Sequence, residues 1–296
     1  KVDDLQPGDT RAIFKNTTFD LRMYKRLKMF IHAESKVGQL EVKDDELLGV
    51  IRLGSDTEDN YYQIEIPLKI SSFSSVTPEE IWPEENNINA AIESFGQLKL
   101  ERLEVGGPVN ELFPQPVLGE TPEYRIRVKG NPNLSNIRTF MLGVKNASIA
   151  PKSMELWFNE LRVSDFDNKS SWAAIVNADA NLADFADISL SGSMHTIGFG
   201  SLDQMVNERS QDEMKQYGLV SNINIGQLLP RRANVSIPIN FSFGEEFRDP
   251  KYDPRFQDVL FKNGTTDSEQ ARDYTQRKSL NFINVRKNRT SQSGKP

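Results

Sequence analysis

The stretch that most limits how this chain folds is WAAIVNADANLADFADISLSGSMHTIGFG, residues 172–200, which holds no lysine or arginine and only three acids. Elsewhere the chain is rich in charge, and 26% of all its residues are Asp, Glu, Lys or Arg. Within the stretch apolar and polar residues alternate with period two, the mark of a β-strand with two unlike faces. A strand that turns one face to bulk water normally carries lysine, glutamate or threonine there. This one carries asparagine, serine and a single histidine.

The pattern recurs along the second half. Trp172, Ala174, Val176, Ala178, Ala180 and Leu182 form one face of a first strand, with Ile175, Asn177, Asp179 and Asn181 opposite. Ile188, Leu190 and Met194 oppose Ser189, Ser191, Ser193 and His195; Leu219, Ile223 and Ile225 oppose Asn222 and Asn224. In ANVSIPINFSF, Ala233, Val235, Ile237, Ile239, Phe241 and Phe243 oppose Asn234, Ser236, Pro238, Asn240 and Ser242, and a fifth strand starts near Ser279. Each is about 9–11 residues long, the length a tilted strand needs to cross a bilayer. The links ADFAD, SLDQMVNERSQDEMKQY, LLPRR and GEEFRDPKYDPRFQDVLFKNGTTDSEQARDYTQRK run short, long, short, long. Membrane barrels have tight turns at one rim and long loops at the other. Trp172, Phe199 and Phe243 are expected at the long-loop rim and Phe185 at the other. Pro238, lacking an N–H, predicts a bend or an open edge. A soluble antiparallel sheet packed on the first half would alternate in the same way.

From about Phe30 to Val163 the strands are of the ordinary half-buried kind. Tyr62, Ile64, Ile66, Leu68 and Ile70 share one face, and Gln63, Glu65 and Lys69 share a water-facing one. Further strands are expected at residues 27–33, 47–53, 124–130, 137–144 and 154–163, the last with a bulge at Asn159–Glu160 where the apolar phase slips. TPEEIWPEENN offers Thr77, Pro78 and Glu80 as a capping box that opens a helix, with Pro83 stopping it. Ile88, Ile92 and Phe95 suggest a second helical segment. The chain thus reads as mostly β: residues 1–165 a jelly-roll-like antiparallel sandwich with a short helical insert, and residues 166–296 antiparallel transmembrane β-barrel strands.

With no cysteine, disulfides, thiolate metal sites and thiol catalysis are excluded. A net charge of −6 with no basic stripe argues against a nucleic-acid partner. No apolar run suits a membrane helix, and no signal peptide opens the chain, which reads as an internal piece of something longer. Asp56, Glu58, Asp59 and Asn60 cluster in a turn without calcium-motif spacing, so a solvated turn is the expectation. His32 reads as a structural histidine; Trp82 and Trp157 have the chemistry to stack on sugar rings, although Trp157 reads as core. His32 and His195 lie in different halves and there is no G-x-S-x-G elbow, so no catalytic, cofactor-binding or metal residue is expected.

The run MELWFNELRVSDFDNKSSWAAIVNADANLADFADISLSGSMHTIGFGSLDQ resembles the SprA (also called Sov) family, the outer-membrane translocon component of the type IX secretion system. IWPEENN, NERS, YDPRFQD and RKSLNFINVRKNRT are similar as well. The resemblance implies a very large single-chain β-barrel that passes folded cargo proteins across the outer membrane, and a part in gliding motility in some members. It also implies a lipid bilayer and other outer-membrane and periplasmic secretion subunits as partners, and no enzyme activity and no cofactor. The strand count places the sandwich on the extracellular side. The competing reading is a carbohydrate-binding or adhesive cell-surface β-sandwich.

Overall fold

The structure, a computed structural model, describes residues 1–114, 124–167, 170–205, 208–261 and 271–288. Residues 262–270 of the longest link, Asn207 of NERS and the end of RKSLNFINVRKNRT lie outside the described residues. The chain divides into two compact units. The first comprises the described residues of Lys1–Asn168 and Tyr252–Thr265, the second those of Lys169–Lys251 and Thr266–Pro296.

The first unit contains strands β1 (Val2–Leu5), β2 (Thr10–Phe19), β3 (Tyr24–Ser35), β4 (Leu47–Gly54), β5 (Tyr61–Pro67), β6 (Asn87–Ala91), β7 (Phe113–Pro114), β8 (Arg125–Lys129), β9 (Ile137–Asn146) and β10 (Lys152–Phe166). One antiparallel sheet runs β1-β10-β3-β6 and the other β2-β9-β4-β5-β8-β7. With the β7–β8 pair set aside, this is the strand order of a jelly roll. Period-two alternation builds its core: Leu27, Met29 and Ile31 of β3 meet Ile51 and Leu53 of β4 and Tyr62, Ile64 and Ile66 of β5, all almost wholly buried. Each such side chain contributes roughly 1.5–3 kcal/mol on burial. The expected bulge is present, since the β10–β3 register shifts between Asn159 and Arg162 and Glu160 adopts φ 54°.

Three expectations change. The capping box of Thr77 and Glu80 opens α1 (Pro78–Ile81), but Ile88 belongs to β6, and the second helix, α2, spans Glu93–Glu104. Pairing of Asn87–Ala91 with β3 outweighs the helical spacing of Ile88, Ile92 and Phe95. The polar face of β5 is not in water. Gln63 and Glu65 are buried because Arg52 donates to Gln63 Oε1 at 2.6 Å and Arg127 lies 3.4 Å from Glu65 Oε1. Trp157 is 47% exposed rather than core, because its side of β10 is the outer one.

A further difference is YDPRFQD, which the link pattern reads as part of a long loop. Asp258 is fully buried in the first unit, 2.8 Å from Lys99 Nζ on α2, and Tyr62 donates its hydroxyl to the same carboxylate. Lys99 also donates to the Pro132 carbonyl. Burial lowers the Lys99 pKa against the opposing pull of Asp258. The Arg22 guanidinium lies 4.5 Å over the Tyr252 ring and donates to the Gln257 carbonyl. Gly96 is required here, since a Cβ would sit 2.8 Å from the Asp258 carbonyl oxygen.

The second unit is a five-stranded antiparallel sheet, β11 (Ala173–Leu182), β12 (Ala186–His195), β13 (Asp212–Asn224), β15 (Pro238–Pro250) and β16 (Asp273–Phe282), paired in that order. A separate two-stranded pair joins β14 (Val235–Ser236) to β17 (Arg286–Lys287). The sheet is open: β11 and β16 are its edges, and no closed barrel forms among the described residues. Ala233, Val235 and Ile237 lie outside the sheet, and the fourth strand starts at Pro238, where a missing N–H is tolerated. LLPRR is part of a longer link, residues 225–237, containing two 3-10 turns, so the contrast between short and long links is weaker than expected. β13, β15 and β16 extend into segments that read as loops, held by pairs such as Arg248–Glu246 at 2.6 Å and Arg272–Asp249 at 2.6 Å.

Two outcomes follow for the first unit. Asp258→Asn leaves Lys99 buried without a counter-charge, and urea denaturation should show a loss of about 3–5 kcal/mol. The double variant Lys99→Met, Asp258→Leu should recover most of that loss; if it does not, the ion pair is not the source. The second concerns Asp56. Its partial burial raises the pKa, but donors from the Asp59, Asn60 and Glu58 backbone N–H groups at 2.6–2.9 Å win and hold it far below the usual carboxylate range. A depressed folded pKa stabilises above the unfolded value of about 3.9 and fades as pH falls below it. Asp56→Ala should therefore lose about 1–2 kcal/mol at neutral pH, with a smaller difference from wild type near pH 3.

Candidate functional site

Residues directly opposed in an antiparallel sheet share a face, so the register of the second unit assembles its surfaces. One face begins, beside the 183–185 turn, with the row Leu182, Ala186, Ile223, Ile239 and Phe282. Next come Ala180, Ile188, Ser221, Phe241 and Leu280, then Ala178, Leu190, Leu219, Phe243 and Lys278. The one charge in these rows, Lys278, extends its ammonium to 5.2 Å from the Phe243 ring. Beyond them lies an aromatic and polar rim, where Tyr274 and Gln276 donate to Glu245 at 2.6 and 2.5 Å and Tyr217 donates to its other oxygen. Phe247 packs against Tyr274 with the rings tilted and their centroids 4.9 Å apart. Tyr217, Phe247 and Tyr274 join the expected Trp172 and Phe199, which lie at this end beside His195; Phe243, expected there too, sits within the apolar rows.

The opposite face is polar and nearly neutral where the first is apolar. Asn181, Asp187, Asn222, Asn240 and Asn281 form a row that crosses all five strands, with Asn181 donating to Asp187 at 2.5 Å and Asn240 to Asn222 at 2.7 Å. The adjacent row is Asp179, Ser189, Val220, Ser242 and Ser279, in which Ser189 donates to Asp179 at 2.6 Å and Ser242 meets Ser279 at 2.7 Å. The two rows carry Asp179 and Asp187 as their only charges, and more charge appears farther along, at Arg277, Glu246, Arg248 and Asp273. Among the described residues of these strands only Ala186 and Ser221 are buried. Neither face is a core, and Ile239 and Phe241 are half-exposed.

His195 has neighbours that the sequence did not suggest. Ser210 Oγ lies 3.0 Å from its Nε2, and Asp212 Oδ1 lies 3.6 Å from the same nitrogen. Ser210 donates to Asp212 at 2.5 Å. A nucleophile triad needs the acid on the far nitrogen of the imidazole, where it fixes the tautomer. Here serine and carboxylate crowd one nitrogen and bond each other, so the cluster is a polar staple between β12 and β13.

On the first unit, Asp56 turns one carboxylate oxygen to the three backbone donors and the other to Asn60 Nδ2 at 3.0 Å, which uses its oxygens inside the turn. No group of three or more potential metal ligands forms among the described residues. His32 is buried with Nδ1 2.5 Å from the Ile81 carbonyl, as a structural histidine should be. The fold brings Trp82 and Trp157 to either side of it, ring centroids 5.6 and 4.7 Å away. No helix among the described residues is long and apolar enough to cross a membrane, which says nothing of strands.

No curated protein matches the chain. The family model SprA_N, described as a motility related/secretion protein, matches residues 1–264. That span takes in the whole sandwich, the buried YDPRFQD segment and four of the five strands of the two-faced sheet. The chain therefore belongs to the SprA family of motility-related and secretion proteins.

Proposed function

We propose that the five-stranded sheet is part of the wall of a very large outer-membrane β-barrel that conducts folded cargo proteins in type IX secretion. One observation carries the reading: the strands share an apolar side and a polar side rich in asparagine and serine, and almost nothing on either side is buried. Lipid is the solvent that suits Leu190, Leu219, Ile239 and Phe241, and Tyr217, Phe247 and Tyr274 suit the interfacial girdle at one rim. Water suits the asparagine and serine rows. A lumen lined mostly by amides and hydroxyls hydrates a passing protein with little fixed charge to hold it.

On this reading the free edges of β11 and β16 pair with further strands, because unpaired N–H and C=O groups are not tolerated in hydrocarbon. The segment is structural and non-catalytic, and takes no cofactor. Secreted cargo, the bilayer and other outer-membrane and periplasmic secretion subunits are its partners, and gliding motility depends on the same conduit. The sandwich lies on the extracellular side.

The absence of cysteine gives a direct test, because a single introduced thiol is unique in this chain. In native outer membranes, Leu190→Cys carrying an environment-sensitive dye should fluoresce in the blue and be quenched by lipid-borne quenchers. Ser191→Cys, one residue on, should react with a water-soluble maleimide and escape those quenchers. Equal aqueous reactivity at both positions would reject a lipid-facing sheet. Leu219→Lys, placing charge in the apolar rows, should destabilise the assembled barrel by about 2–4 kcal/mol if the row lies near mid-bilayer.

A further inference from the structure

The outer face of the β1-β10-β3-β6 sheet carries a cleft of about 380 Å³ lined by His32, Glu34, Ser75 and three aromatic rings, Phe73, Trp82 and Trp157. Phe73 is 60% exposed and Trp157 47%, unusual for large rings on the solvent side of a sandwich. Their placement is built in. Trp157 on β10 lies directly opposite His32 on β3 in the antiparallel register, and Trp82 is the C-cap of α1, its backbone N–H donating to the Pro78 carbonyl.

The floor of the cleft determines what fits. A carbonyl only accepts, so the Ile81 oxygen 2.5 Å from His32 Nδ1 requires the hydrogen on that nitrogen. In the neutral ring Nε2 is then a lone-pair acceptor, and Glu34 Oε2 lies 3.5 Å from it. Two acceptors side by side call for two adjacent donors on the ligand. Rings inclined at 52° and 59° to the imidazole flank them. A pyranose supplies both requirements: neighbouring hydroxyls for the acceptors, and a face of C–H groups for indole rings. A proline-rich peptide also stacks on tryptophan, but it offers no paired donors.

We propose that this cleft binds a glycan through a pyranose ring seated against Trp157 and Trp82, with adjacent hydroxyls donating to His32 Nε2 and Glu34. The site is independent of the conducting role of the sheet, and stands or falls separately.

The test is calorimetric titration of the full chain, in a detergent without a sugar headgroup, with hexasaccharides of β-linked glucose and N-acetylglucosamine and with a proline-rich decapeptide. At least one hexasaccharide should bind with a dissociation constant of about 1 mM or tighter, and Trp157→Ala should weaken it about tenfold with the melting temperature unchanged. Trp157→Phe, which keeps a stacking ring, should retain most of the affinity, whereas Glu34→Ala should lose it. The idea is overturned if neither sugar binds, if only the peptide binds, or if Trp157→Ala binds as well as wild type.

Discussion

The second unit depends on register. Side chains on a strand alternate faces with period two, so slipping one strand by a single residue would exchange its whole apolar set for its polar set. With β12, β13 and β15 aligned as they are, Leu190 meets Leu219 and Leu219 meets Phe243, while one position away Ser191 meets Gly218 and Gly218 meets Gly244. A slip between β13 and β15 would set an asparagine beside Phe241 and break the Asn240–Asn222 hydrogen bond of 2.7 Å. The amide row therefore does more than wet one face. Cross-strand bonds between identical short side chains penalise every neighbouring register, in a sheet that has no core to do so.

That alternation was legible in the sequence, and so was its unusual polar partner, because both are properties of single strands. What the sequence hid was where each strand stops. Glu245, Glu246, Arg248 and Asp249 look like a loop, yet they lie on β15, since their charges are matched across the ladder by Tyr274, Gln276 and Arg272. Conversely Val235 continues the pattern of Ile239 and Phe241 but pairs with Lys287 in a different sheet. Periodicity reports which face a residue would take; hydrogen-bonding partners decide whether it is in the sheet. Phe243 reads as a rim residue for the same reason: the apolar alternation ends there, and the strand does not.

In the sandwich the alternation gave the core strands, the capping box and the bulge at Asn159–Glu160, all of them local features. The misreadings involve long-range partners. Trp157 reads as core by its residue type, yet its phase on β10 is that of Glu155 and Asn159, and the register sets it opposite His32 on the outer face. Asp258 is 159 residues from Lys99 in the chain, and nothing near either residue announces the pair. Likewise Glu34 gains meaning only when β3 and β10 set it beside His32 and Trp157.

The Lys99–Asp258 pair raises a question of why charge is used there at all. Desolvating both groups costs as much as their attraction returns, and apolar residues of the same volume would hold the segment about as well. An apolar plug, however, is satisfied by many depths and orientations of insertion. The ammonium of Lys99 is satisfied by one, in which Asp258 and the Pro132 carbonyl converge on it while Tyr62 donates to the same carboxylate. Any other seating leaves a buried charge without a partner, a penalty of several kcal/mol. Gly96 sharpens the choice by admitting the Asp258 backbone to a distance that a Cβ would forbid. The ion pair thus sets position where hydrophobic burial alone would set only affinity.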